Sequence, residues 1–138
     1  MKGEARVHQY VCDYLRLQYP NVIFRTDFAA GTKMTPGQAA KHKRLQSNRA
    51  YPDLFIAEPV NQSHGLYIEL KDEGVKVFKK NGDLVANPHI REQAAVLEQL
   101  SDKGYEAYFA SGFNEAKYLI DKYLSGQLYA KNNKKEAF

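Results

Sequence analysis

The run Gly65–Lys71 (GLYIELK) dictates more about this chain than any other stretch. Its length and its aromatic and β-branched content are those of a strand. The two-residue alternation of a strand puts Tyr67, Glu69 and Lys71 on one side and Leu66, Ile68 and Leu70 on the other. Glu69 therefore stands in an apolar run, where a lone carboxylate is costly unless it is paired or coordinates a metal. Lys71 follows two residues later, so an acid and an ammonium share one face at one end of this strand.

The flanking sequence supplies the rest of a sheet. Residues 3–19 read as a helix, with Val7, Val11, Tyr14 and Leu15 at helical spacing and Pro20 as its stop. Asn21–Asp27 reads as a short strand, and Thr35 as the N-cap of a short helix with Pro36 in its first turn, ending near Leu45. Pro52–Ala57 is a second strand. Residues 72–88 fit a β-hairpin around Asn81-Gly82. A helix over Ile90–Lys103 stops at Gly104, a strand covers Glu106–Ala110, and an amphipathic helix covers Phe113–Leu124. The expected class is α/β: a central mixed sheet flanked by helices, in the order α-β-β-β-α-β-α, with the hairpin inserted at about 72–88.

Asp53 lies sixteen residues before Glu69, on the preceding strand. Two carboxylates and a lysine at one end of a sheet suit hard-cation chemistry: Mg²⁺ takes oxygen ligands from one or two carboxylates and completes its shell with water and phosphate oxygens. Taken bare, the same residues also fit a turn aspartate after Pro52 and a salt pair between Glu69 and Lys71.

In its order of elements and in Pro52-Asp53, Glu69-Leu70-Lys71, the chain resembles the PD-(D/E)xK nuclease superfamily, whose core is restriction-endonuclease-like. More narrowly it resembles stand-alone VRR-NUC domains of the phage type. That resemblance runs from about residue 3 to 124 and rests on Glu4, Tyr51-Pro-Asp-Leu54, Tyr67-Ile-Glu-Leu-Lys71 and Arg91-Glu-Gln93. It implies a single domain over 1–138, with 125–138 as a basic tail. It further implies that Asp53, Glu69 and the Leu70 carbonyl hold Mg²⁺, with Mn²⁺ as a substitute, and that Lys71 is the catalytic lysine. Gln93 becomes a site residue on the following helix, and Glu4 an auxiliary acid acting on the metal indirectly. The implied activity is endonucleolytic hydrolysis of DNA, directed at branched substrates such as four-way junctions in replication, repair or recombination, by a homodimer without organic cofactor. The rival is a binding module that keeps the fold without catalysis. One departure stands out: where the family often has glycine before the proline, this chain has Tyr51.

Composition agrees with a polyanion partner without demanding one. The net charge is +4, from twenty basic and sixteen acidic residues. The cations cluster: Lys33, Lys41, Lys43, Arg44 and Arg49 in one stretch, Lys76, Lys79 and Lys80 in the hairpin, and Lys131, Lys134 and Lys135 in the tail. The first two groups are the candidate DNA contacts, since clustered cations bind phosphates by releasing counterions; a solvated basic loop is the plainer alternative. One cysteine excludes an internal disulfide and a cysteine-cluster zinc site. The absence of a signal-like or membrane-length apolar run leads to the expectation of a cytoplasmic protein with no membrane partner. The four histidines show no metal-ligand spacing, and surface or capping roles are expected for them.

Overall fold

In the computed structural model, residues 3–27 and 33–128 are described. The elements are α1 (Gly3–Gln18), β1 (Phe24–Thr26), α2 (Pro36–Arg44), β2 (Leu54–Ile56), β3 (Leu66–Lys71), α3 (Pro88–Asp102), β4 (Glu106–Ser111) and α4 (Phe113–Leu124). The strands form one sheet in the order β1-β2-β3-β4. β1–β2 and β2–β3 pair antiparallel and β3–β4 parallel, the pair joined through α3. This is the mixed, restriction-endonuclease-like α/β arrangement expected of the sequence.

The two faces of the sheet carry two separate cores. Leu54, Ile56, Leu66, Ile68, Leu70, Tyr108 and Ala110 pack with Val7, Val11 and Leu15 of α1 and with Ala116, Leu119, Ile120 and Tyr123 of α4. Tyr67, Ala107 and Phe109 on the other face pack with Ile90 and Leu97 of α3. Every residue of β3 is buried, as a central strand covered on both faces requires. Asn87 caps α3 through hydrogen bonds from His89 N and Ile90 N. Gly104 has φ +99°, a left-handed turn that a side chain disfavours, and it brings the chain from α3 into β4.

The hairpin expected at 72–88 is short: one antiparallel bridge, Phe78 to Leu84, flanked by the hydrogen bonds Lys79 N–H to Asp83 O and Val85 N–H to Val77 O. Val77, Leu84 and Val85 pack on the α3-side core. The expected helix starting at Pro36 is present with a full Thr35–Gln38 capping box, and none of its residues is buried. The sequence also hid one feature of β4: Glu106 is fully buried at its start, where its carboxylate accepts hydrogen bonds from Ser63 and Tyr108. The basic tail from Lys131 onward lies outside the described residues. No helix among the described residues is long and apolar enough to cross a membrane.

Candidate active site

The site arises where the strands stop matching in length. Leu54, the first residue of β2, pairs with Ile68, so β3 continues to Lys71 with no β2 partner while β4 accompanies it to Ser111. Asp53 sits at that fork. Its Oδ2 accepts the hydrogen bond of Leu70 N at 3.0 Å, replacing the ladder partner that β2 no longer provides. In an extended strand the N–H and C=O of one residue point to the same edge. The Leu70 carbonyl therefore faces the open edge beside Asp53, while the Lys71 carbonyl accepts from Gly112 on the β4 side.

The first turns of α1 border the same fork. Glu4 and His8 are four residues apart and thus on one helical face. One carboxylate oxygen from each of Glu4, Asp53 and Glu69 lies within 4.8 Å of the others. His8 Nε2 is 3.8 Å from Asp53 Oδ2. Lys71 and Gln93 are both buried, and a pocket of about 340 Å³ is lined by Glu4, Asp53, Glu69, Lys71, His89 and Gln93 among others. All five expected site residues are therefore gathered at one place.

The electrostatics are those of a crowded acidic site. Glu69 is only 3% exposed. Burial first, then the hydrogen bond and charge of Asp53, push its carboxyl far above the usual range. Glu4 is raised too, by burial and then by Asp53. His8 is lowered, because burial penalises its cation more than Asp53 favours it. Neither ring nitrogen of His8 has a hydrogen-bond partner, nor has Gln93 Oε1; Gln93 Nε2 lies 3.2 Å from His89 Nε2. Three carboxylates with a buried amide oxygen form an all-oxygen set, which fits a hard divalent cation and not a soft one.

His8 departs from expectation, being buried against Asp53. His64 and His89 are exposed, as expected, with His89 Nε2 3.2 Å from Gln93 Nε2, and His42 sits 3.2 Å from Asp27 at the rim of the pocket. His8 stands four residues from Glu4, a spacing that puts both on one helical face without telling which of them serves the site. Among the expected DNA contacts, Lys33 and Lys41 line a larger neighbouring cleft, and Lys43 lines the acidic pocket. Arg44, Lys76, Lys79 and Lys80 are exposed. Arg49 is engaged with Glu92 of α3 through two hydrogen bonds of 2.7 and 2.9 Å.

The comparisons now bear on this geometry. A solved structure described as a VRR_NUC domain protein superposes with a TM-score of 0.57, at 28% identity, covering 91% of this chain and 92% of its own. In fold and in sequence this chain is similar to a VRR-NUC domain. No family model matches the sequence, and no curated protein does. The VRR-NUC likeness makes the fold that of a nuclease family.

Proposed function

We propose that this chain is a Mg²⁺-dependent endonuclease of DNA, with Mn²⁺ as a substitute, and that Asp53, Glu69 and the Leu70 carbonyl hold the ion. The observation that carries this reading is the convergence of Glu4, Asp53 and Glu69 beside Lys71 at the fork of β2 and β3. When bound, such an ion polarises a phosphoryl oxygen and acidifies water.

The chain's own groups supply the rest. Lys71, buried on the Glu69 face, orients the attacking water and stabilises the charge that develops on the phosphoryl oxygens. Asp53 is held in place by Leu70 N–H, so its second oxygen keeps one direction. Gln93 presents an unpartnered Oε1 that is free to accept from water or substrate. Glu4 acts as an auxiliary acid that orders water in the pocket. The exposed cations Lys33, Lys41, Lys43, Arg44, Lys76, Lys79 and Lys80 hold the phosphate backbone, while Arg49 does so only by releasing Glu92. Phosphate contacts position DNA without reading its sequence. The substrate is accordingly recognised by structure, as branched DNA. Val75 and Phe78, exposed on the 72–88 segment, supply an apolar patch for a homodimer contact.

The test compares the protein with its Lys71→Ala form on duplex, single-stranded, flap and four-way-junction DNA, each with EDTA, Mg²⁺ and Mn²⁺. Metal-dependent cleavage is expected from the parent protein. In Lys71→Ala it falls by about 100-fold or more, as for loss of one group that stabilises transition-state charge. Inert protein that still binds DNA with every metal would replace this reading with that of a binding module.

A further inference from the structure

Next to the acidic pocket lies a second cleft, of about 880 Å³. It exists because the sheet is unevenly covered. On the face that carries Tyr67, α3 packs over β3 and β4, whereas the β1–β2 half is faced by α2, which buries none of its residues. The aromatic row of that face is therefore left open toward β1. Phe55 stacks on Tyr67 at 4.4 Å between ring centroids, and Tyr51 meets Tyr67 edge-on with its hydroxyl 2.9 Å from the Tyr67 hydroxyl. Tyr51 is 41% exposed and lines both the cleft and the acidic pocket.

We propose that this cleft receives an unpaired nucleotide of the DNA strand being cut, its base lying against Tyr51 and Phe55 and its backbone held by Arg25, Lys33 and Lys41. The inference rests on the nuclease reading above and adds to it that the strand is single at the cut site. Three observations carry it. The cleft shares Tyr51 and Asp53 with the acidic pocket, so a group bound there is adjoining in the strand to the phosphate at the carboxylates. Its wall is aromatic and apolar, while its lining cations Arg25, Lys33 and Lys41 match a phosphodiester strand. Its volume, about 880 Å³, leaves room for a nucleotide beside the aromatic wall. Every base has a face to stack, so such a site tolerates sequence and selects for unpaired structure.

The probe is a short single-stranded DNA carrying 2-aminopurine, titrated in Ca²⁺ into the parent protein, Tyr51→Phe and Tyr51→Ala. Thermal melting checks that each is folded; Tyr51 is exposed enough for both substitutions to be tolerated. Expected are a change of 2-aminopurine fluorescence on binding to the parent and to Tyr51→Phe, and binding about tenfold weaker for Tyr51→Ala. The same oligonucleotide annealed to its complement should bind without the fluorescence change. Equal affinity and equal fluorescence across all three proteins, or an equal signal from the duplex, would overturn the proposal. Because this reads binding and not cleavage, a positive result with an inert protein would sink only the nuclease reading. Cleavage without the base signal would sink only the present one.

Discussion

His8 of α1 is a buried imidazole with no hydrogen bond to either nitrogen. Such a residue gains little for the fold from its polarity, and the Asp53 carboxylate lies 3.8 Å from its Nε2. Its expected role is to set the position of Asp53 from behind, as residues behind metal ligands commonly do. His8→Leu should fold with little loss of stability while binding Mg²⁺ or Mn²⁺ about tenfold more weakly, at the lower end of the range for such supporting residues. Isothermal titration with Mn²⁺ checks this. Unchanged affinity would return His8 to a packing role. Asp53, Glu69 and Lys71 could be read from the sequence because strand alternation fixes which way they point. His8 could not, because a histidine on an apolar helical face looks the same whether it serves the core or the site.

Among the elements, α2 and the α1–α4 pair represent opposite kinds of stability. With no buried residue, α2 depends on its capping box, in which Thr35 Oγ1 accepts from Gln38 N at 3.1 Å and Gln38 Oε1 from Thr35 N at 3.0 Å. Thr35→Ala should cost the helix about 1 kcal/mol. Amide exchange should speed up within residues 36–44, with the melting temperature of the whole almost unchanged. By contrast, α1 and α4 are tied through Asp121, which accepts hydrogen bonds from Tyr14 at 2.6 Å, Tyr19 at 2.7 Å and Lys117 at 2.9 Å. Burial pushes the Asp121 carboxyl up, but the three donors outweigh it and hold the group below the usual aspartate range. A carboxyl lowered in this way stabilises the fold above its unfolded value, near pH ~4, and loses that contribution as pH falls through its folded value. The double change Tyr14→Phe, Tyr19→Phe should therefore cost about 2–4 kcal/mol at neutral pH and less in acid. Urea unfolding at several pH values reads the difference. Here the sequence was informative about existence: the eight elements follow from periodicity, Pro and Gly signals. It was uninformative about how far the 72–88 hairpin pairs, because Val77, Leu84 and Val85 fit a longer ladder equally well when they pack on the α3-side core.

For the molecule as a whole, the acidic fork is a source of instability in the absence of cations. Glu4, Asp53 and Glu69 converge beside Lys71, which offsets only part of their mutual repulsion. Burial and Asp53 disfavour the Glu69 anion in the folded state, which costs stability at neutral pH, so Glu69→Gln should raise the metal-free melting temperature, by about 4 °C for each kcal/mol of that cost removed in a domain of this size. Mg²⁺ or Ca²⁺ should raise that of the parent but not of the variant, since a ligand stabilises only the state that binds it. A scanning fluorimetry matrix of both proteins with and without ion decides the matter, and an identical response to metal would remove Glu69 from the ligand set. The fork has one more consequence. A slip of β2 against β3 by a single residue would turn Asp53 away from Glu69, and it would also swing Leu54 and Ile56 out of the core. Assembly of the acidic fork and completion of the hydrophobic interior are thus one event. In any refolded batch, the fraction able to take up metal should equal the native fraction.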